Sequence, residues 1–267
     1  MPSILPSVAT FRASGATFPG DPERSPTEAV TFWLRRDIVR GVFEPLERLK
    51  IEHLAKFYRV GQSPVREAIG RVLGTGLISH EFLKGYRVAQ VSLADYNDVL
   101  DIYQRLRRLA LQMAVQRGTQ AWEERVVVQM HRSMKVRPVP SDSDSEQREL
   151  WQRAYGDLQM ELMRGCNSPS LIRVISDIGA RLERYGNLFA DLSTDLERDH
   201  AQEHRQMVDA LIARDARQVE ALLDTSGALS APMRASIVED LRSREQPNRR
   251  RGGKGKAGRV QAEPVSE

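Results

Sequence analysis

The chain has 267 residues, of which 40% are hydrophobic, and this is enough for two packed domains. It contains no apolar run long enough to cross a membrane and no secretory leader, so we expect a cytoplasmic protein. The single cysteine, Cys166, cannot form an internal disulfide, which fits a reducing compartment.

The net charge of +4 is unevenly distributed along the chain. Residues 25–90 carry 11 Lys and Arg against 7 Asp and Glu, whereas residues 91–241 carry 19 against 24. Residues 242–267 are basic again, with 8 against 3. Offsets of this size also arise by chance. A basic module, an acidic body and a basic tail are nevertheless typical of a DNA-binding protein with a separate sensing domain.

The N-terminal region is predicted to begin with a disordered arm over residues 1–24, which are rich in Pro, Gly, Ser and Thr and lack apolar periodicity. A first helix is then predicted to run to about Gly41. Either Ser25 or Thr27 can cap its start.

Two short helices follow, predicted near Lys50–Phe57 and Pro64–Gly74, because apolar residues recur there at steps of three and four. Ser63 is predicted to cap the second of them, and Pro64 suits its first position. Two short helices joined by a tight turn present the second helix to the major groove of DNA.

A hairpin completes the module. Leu77–His80 and Tyr86–Gln90 are predicted as two short strands around a turn at Lys84-Gly85. Residues 25–90 are therefore predicted to form a winged helix-turn-helix, a DNA-binding domain whose hairpin is the wing.

Residues 34–88 resemble the DNA-binding domain of GntR-type bacterial transcription regulators in the order and spacing of their motifs. The matching segments are Ile38-Val39-Arg40-Gly41, Pro45-Leu46-Glu47-Arg48-Leu49, Leu54-Ala55, Val60-Gly61-Gln62-Ser63-Pro64-Val65-Arg66-Glu67-Ala68-Ile69, Leu73-Gly74-Thr75-Gly76-Leu77 and Gly85-Tyr86-Arg87-Val88. The chain departs from the family at Leu46, where glycine is usual, and at Gly61 and Gln62, where serine or threonine and arginine are common. We therefore expect an operator that differs from the family's common half-site at the base pair an arginine would read.

The resemblance implies that Gly61, Gln62, Ser63 and Arg66 face DNA. Arg66 is the strongest candidate because its guanidinium can bind guanine O6 and N7, or a phosphate, with two hydrogen bonds. The alternative is a surface ion pair with Glu67. Four further cations are candidate contacts to phosphate or the minor groove: Lys56, Arg59, Lys84 and Arg87.

The remainder of the chain to residue 241 has a helical pattern throughout, beginning at a capping box formed by Ser92 and Asp95. Ser168-Pro169 is a second capping site. The predicted helices are 93–117, 120–135, 146–165, 169–191, 196–213 and 216–241, the last interrupted near Gly227 or Pro232. The predicted fold class is mainly α: an N-terminal winged helix-turn-helix with a two-strand wing, followed by an all-α bundle of six or seven helices.

Residues 95–240 resemble the ligand-binding domain of the FadR-type subfamily. Many relatives there bind a divalent metal with one Asp and three His, but the corresponding positions in this chain hold Tyr155, Gln159, His204 and Ser226. Because one ligand of four remains, we expect no metal and no other cofactor. The same four residues are expected to line a cavity for a metal-free effector. Arg107 and Arg181 could anchor a carboxylate, although we expect both at the surface.

These features favour a homodimeric transcription regulator, most often a repressor in this family, that binds an inverted-repeat operator in double-stranded DNA and responds to a small-molecule effector such as an organic acid. The alternative is a constitutive or architectural DNA-binding protein whose bundle only dimerises and whose disordered basic tail, 242–267, supplies affinity. An enzyme is not expected, because Cys166 has no evident histidine partner and no nucleophile or phosphate-loop motif is present.

Overall fold

A computed structural model describes residues 25–136, 145–190, 199–225 and 229–245. The predicted arm, 1–24, lies outside these residues, as does most of the predicted tail. Within them the chain forms ten helices and one two-stranded antiparallel sheet, arranged as an N-terminal head and a helical body. None of the described helices is both long and apolar enough to cross a membrane.

The head begins with helix α1, Pro26–Val39, which starts where its N-cap predicts. Ser25 is the cap, because its hydroxyl accepts a hydrogen bond from the Glu28 N–H, and Pro26 occupies a first-turn position where no N–H is needed. Val30, Leu34 and Ile38 are fully buried at steps of four residues, which makes α1 the central support of the head.

Helices α2, Ile51–Tyr58, and α3, Gln62–Leu73, form the helix-turn-helix. The predicted cap of α3 is wrong: Gly61 is the N-cap and makes no side-chain bond, whereas Ser63 lies inside the first turn. The helix can start two residues before Pro64 because the first-turn N–H groups have no partner inside the helix, so a proline there costs no hydrogen bond.

Strands β1, Ile78–Glu81, and β2, Gly85–Val88, form the predicted wing, with Ile78 opposite Val88 and Glu81 opposite Gly85. The wing is tied to the loop before α2, since the Leu46 N–H donates to the Val88 carbonyl. Leu46 has a left-handed backbone (φ 68°), which glycine adopts more readily, and this accounts for the glycine that the resemblance to the GntR-type domain leads one to expect here.

The body contains the remaining seven helices. They are α4 (Leu93–Arg117), α5 (Gln120–Met134), α6 (Ser145–Arg164), α7 (Pro169–Phe189), α8 (His200–Ile212), α9 (Ala216–Thr225) and α10 (Ala231–Glu245). The predicted interruption of the last helix is confirmed, because Leu229 and Ser230 are not helical and α10 begins only at Ala231. Helix α10 continues to Glu245, past residue 242, where the tail was predicted to begin.

Hydrogen-bonding side chains fix the starts of the body helices. Ser92 and Ser168 cap α4 and α7 as predicted, accepting from the N–H groups of Asp95 and Leu171. The start predicted for α8 is wrong by four residues, because Asp199 caps that helix by accepting from the Gln202 N–H.

Helix α7 joins the two parts of the molecule. Its Ala180 is buried in the apolar core of the head, while Ile175 and Leu182 lie in the two apolar clusters of the body. A shift of α7 therefore moves groups in both parts, because close-packed interiors transmit displacement.

Candidate DNA-reading surface and effector site

The first-turn residues of α3 form an exposed surface at the head. Gly61, Gln62, Ser63 and Arg66 are all exposed, whereas Val65 on the same helix is fully buried. The apolar side of α3 thus packs on the head and its polar side is left for a ligand. The first N–H groups of the helix lie at the same end, which favours a phosphate.

Arg66 makes no ion pair with Glu67 in the described part of the chain. The Glu67 carboxylate instead accepts a hydrogen bond from the Thr27 hydroxyl at 3.3 Å. The guanidinium of Arg66 is therefore available to a base or a phosphate.

Of the other predicted cations, three are exposed and one, Arg87, is half-buried. Lys56 and Arg59 are exposed just before α3, and Arg59 ends α2 with a left-handed backbone (φ 55°). Lys84 is exposed beside Glu81, at 3.0 Å, a pair weak enough for a phosphate to replace. Arg87 is half-buried, and its guanidinium donates to the Leu46 carbonyl at 2.9 Å, so it also supports the wing.

The core beneath this surface contains one buried carboxylate. Asp37 is 2% exposed and accepts a hydrogen bond from the Tyr58 hydroxyl at 2.9 Å. Burial raises the pKa of Asp37, while the neighbouring Arg36 and the Tyr58 hydrogen bond oppose that rise. The pair locks α2 onto α1.

A second polar cluster lies inside the body. Tyr155 and Gln159 are four residues apart on α6, and the Tyr155 ring lies 4.8 Å from the ring of His204 on α8. The structure therefore brings together three of the four predicted cavity residues, of which His204 is buried and the other two half-buried. The fourth, Ser226, lies outside the described residues.

The prediction that Arg107 is a surface residue is wrong. Arg107 is 6% exposed, and its Nη2 lies 3.5 Å from Gln159 Oε1. Desolvation raises the pKa of the Tyr103 hydroxyl, whereas the nearby Arg107 guanidinium lowers it. The Arg107 guanidinium therefore lies within the polar cluster of Tyr155, Gln159 and His204.

The burial of Arg107 could have been predicted from its spacing relative to apolar residues on the same helix. Ala110, Leu111 and Ala114, which follow it by three, four and seven residues, are all fully buried, so it lies on the buried stripe of α4. Arg181 is different: it is half-buried and pairs with Asp95 at 2.6 Å.

Sequence reasoning missed the aromatic surroundings of the cluster. His200, one turn before His204, is buried and lies 5.5 Å from the Tyr155 ring and 5.3 Å from the Trp151 ring. The signal available in the sequence was the four-residue spacing of Trp151 and Tyr155 on α6 and of His200 and His204 on α8, which puts each pair on one side of its helix. Within the described ranges, no three His, Cys, Asp or Glu side chains converge as metal ligands.

The head and its reading surface define a winged helix-turn-helix DNA-binding protein with an attached helical domain. The model for bacterial regulatory proteins of the gntR family matches residues 26–88, and the FCD domain model matches residues 98–226. The chain is 32% identical over 200 residues to the HTH-type transcriptional regulator BphR of Paraburkholderia xenovorans, spanning 75% of this chain and 81% of that protein. It is 27% identical over 194 residues to the HTH-type transcriptional repressor GlaR of Escherichia coli, spanning 72% and 87%.

A solved structure shares the fold: E. coli McbR/YncC superimposes with a TM-score of 0.61 at 18% identity, covering 82% of this chain and 98% of that one. The chain belongs to the GntR family and is a DNA-binding transcription regulator with an FCD effector-binding domain. These relatives are named as transcriptional regulators rather than as enzymes.

Proposed function

We propose that this chain is a cytoplasmic repressor that binds an inverted-repeat operator as a homodimer and releases it when a small organic acid enters the helical body. The observation that carries the proposal is the buried Arg107 guanidinium beside Gln159, in the cluster that holds Tyr155 and His204. Repression is supported by the GlaR relative, which is named a repressor.

The charge of the cluster selects the class of effector. Arg107 supplies a fixed positive charge in a water-poor interior, where a carboxylate that binds it with two hydrogen bonds gains most. Gln159, Tyr155 and His204 carry no negative charge of their own and can hydrogen-bond the rest of a polar ligand. We infer a small carboxylate, held by Arg107 and oriented by Gln159, Tyr155 and His204.

Helix α7 provides a route from the effector to the head, because it packs on both α4 and α6, which carry the cluster. Toward the head, α7 is bonded to α1: Arg35 of α1 donates to the Asp177 carboxylate at 2.9 Å and to the Ser176 carbonyl at 2.7 Å. Asn187 of α7 donates to the Val39 carbonyl at 3.0 Å. A carboxylate that moves α6 or α4 would shift α7, and with it the orientation of the head.

Dimerisation follows from the size of the reading surface. One recognition helix covers only a few base pairs, and a two-fold dimer doubles the contact and requires an inverted repeat. Selection of bound sequences from a random DNA pool, at a stated salt concentration, tests this part. An inverted repeat of two half-sites is expected, whereas enrichment of a single half-site or of no sequence would contradict the proposal.

Calorimetry of the full chain with a panel of short mono- and dicarboxylates tests the effector site. Arg107→Met is expected to weaken carboxylate binding about 10- to 100-fold, the usual effect of losing hydrogen bonds to a charged group. Methionine matches the length of the arginine side chain without its charge, and a melting curve verifies that the variant is folded before binding is compared. Arg105→Ala is the matched control, because Arg105 lies on the same helix with a side chain that is 73% exposed. Equal binding by both variants would refute the site.

A further inference from the structure

The tip of the wing exposes two large apolar side chains. Between Glu81 at the end of β1 and Gly85 at the start of β2, Phe82 is 83% exposed and Leu83 is 88% exposed. Hairpin tips are normally built from Gly, Asn, Asp, Ser or Pro, which suit both the turn and the solvent. Two adjacent large apolar residues at a tip therefore need a reason beyond turn formation.

The backbone of the tip makes the leucine still more unusual. Leu83 has a left-handed backbone (φ 62°), which side chains with a Cβ rarely adopt and glycine adopts readily. Conformations of this kind persist where the surrounding structure enforces them, and they concentrate at functional sites. The wing keeps an outward-pointing leucine at a position where glycine would fit with less strain.

The tip is supported from behind. The Lys84 ammonium and N–H both bond to Glu81, each at 3.0 Å, and they close the turn. Behind the turn, the rings of His80 and Tyr86 lie 4.9 Å apart across the two strands. The apolar pair is therefore presented by a braced hairpin, as a wedge would have to be.

The DNA operator is the surface that fits this tip. The wing directly follows the recognition helix α3, and β1 packs against that helix, so the tip belongs to the same module as the exposed reading surface. Lys84 beside the apolar pair matches the negative phosphates that border a DNA groove. Apolar side chains inserted between base steps in the minor groove leave water, partly unstack the bases and bend the duplex.

We propose that Phe82 and Leu83 form an apolar wedge that enters the minor groove beside each half-site and bends the operator there. Because pyrimidine–purine steps unstack most easily, the wedge selects such a step at a position that α3 does not contact. This inference rests on the proposed docking of the head on an operator.

The experiment uses the full chain and the DNA fragment that the wild type selects from a random pool. Energy transfer between dyes on the two ends of the fragment reports bending, and titration reports affinity. Phe82→Ala is expected to reduce the bend by about 20° or more, to weaken binding about tenfold and to remove the preference for a pyrimidine–purine step in a repeated selection. Phe82→Trp should restore most of the bend, because a large aromatic wedge remains.

Val128→Ala is the matched control, since Val128 is also a large apolar side chain, 50% exposed, on α5 of the body. If the DNA fragment is bent by the same angle in complexes with the Phe82→Ala and Val128→Ala variants, the wedge is refuted. If Phe82→Ala instead dissociates the free protein without changing the bend, the tip contacts a second copy of the chain and the wedge is again refuted. Loss of binding in Arg66→Ala with no effect of Phe82→Ala would leave the docking proposal intact and overturn only the wedge.

Discussion

The head and the body place their polar groups in opposite ways. In the described part of the head the one buried charged residue is Asp37, whereas the body buries Arg107, Glu161, Arg184, His200 and His204. Gln62, Ser63 and Arg66 of the head are exposed, whereas His204 of the body is buried and Tyr155 and Gln159 are half-buried. The difference matches two kinds of ligand: a DNA groove is read from outside by a rigid module, while a small molecule is enclosed by a cavity.

The largest expected effect tests the outer surface of the head. Arg66→Ala should weaken binding to the selected operator about 10- to 100-fold, because a two-bond contact to guanine or phosphate contributes on the order of 1–3 kcal/mol. Fluorescence anisotropy at fixed salt measures the affinity. Arg71→Ala is the matched control, since Arg71 lies in the last turn of the same helix, away from the end that reads bases. Equal losses of operator affinity in the two variants would mean that Arg66 contributes only non-specific electrostatic attraction to DNA.

The next effect tests the interior of the head. Tyr58→Phe removes the hydroxyl that donates to buried Asp37 and should lower the free energy of unfolding by about 1–3 kcal/mol. Urea unfolding of the full chain, followed by a probe in the head, measures the loss. Tyr86→Phe on the wing is the control, because Tyr86 is half-buried and the loss of its hydroxyl should change the free energy of unfolding little. An unchanged free energy of unfolding in Tyr58→Phe would show that the pair does not lock α2 onto α1.

A smaller effect tests the connection between the two parts. The Arg35 and Asp177 side chains are 30% and 32% exposed, so their ion pair contributes less than about 1 kcal/mol. Arg35→Ala should therefore leave operator affinity nearly unchanged and reduce the carboxylate response two- to fivefold. Arg173→Ala is the control: both arginines line the same open cleft, of about 420 Å³, between α1 and α7. An undiminished response in Arg35→Ala would exclude this contact from the coupling.

The smallest effect is a pH dependence of the head. Burial raises the pKa of Asp37 in the folded state, so the folded head takes up a proton more readily than the unfolded chain. The resulting contribution to stability is present at acidic pH and is lost as the pH rises through the folded pKa. Asp37→Asn should flatten the change in melting temperature between mildly acidic and neutral pH. A wild-type profile identical to that of Asp37→Asn would contradict the raised pKa.

The head could be predicted almost completely from the sequence, because its elements are short, capped and tied to fixed motifs. The strands of the wing lie within one or two residues of their predicted bounds, and the larger departure is the start of α3, where Ser63 and Pro64 form a good cap signal that the chain does not use. Prediction failed there because a proline is tolerated at several first-turn positions, so local chemistry alone does not choose among them.

The helices of the body were also predictable, but its site was less so. Tyr155 and His204 were found through the family's ligand positions, and they contact each other as expected of one site. Arg107 departs from the expectation for a lone arginine, which is usually exposed, because its spacing relative to Ala110 and Leu111 puts it on the buried side of α4. Which side chains from different helices meet in a core depends on packing, which periodicity does not specify.

The most direct test of the account is the operator affinity of the wild type and of Arg107→Met, each measured with and without the short carboxylates. The account predicts that at least one carboxylate weakens the binding of the wild type about tenfold or more, while Arg107→Met binds the operator normally and no longer responds. If no carboxylate changes the affinity of the wild type, or if Arg107→Met responds as the wild type does, the body is not a carboxylate sensor built around Arg107.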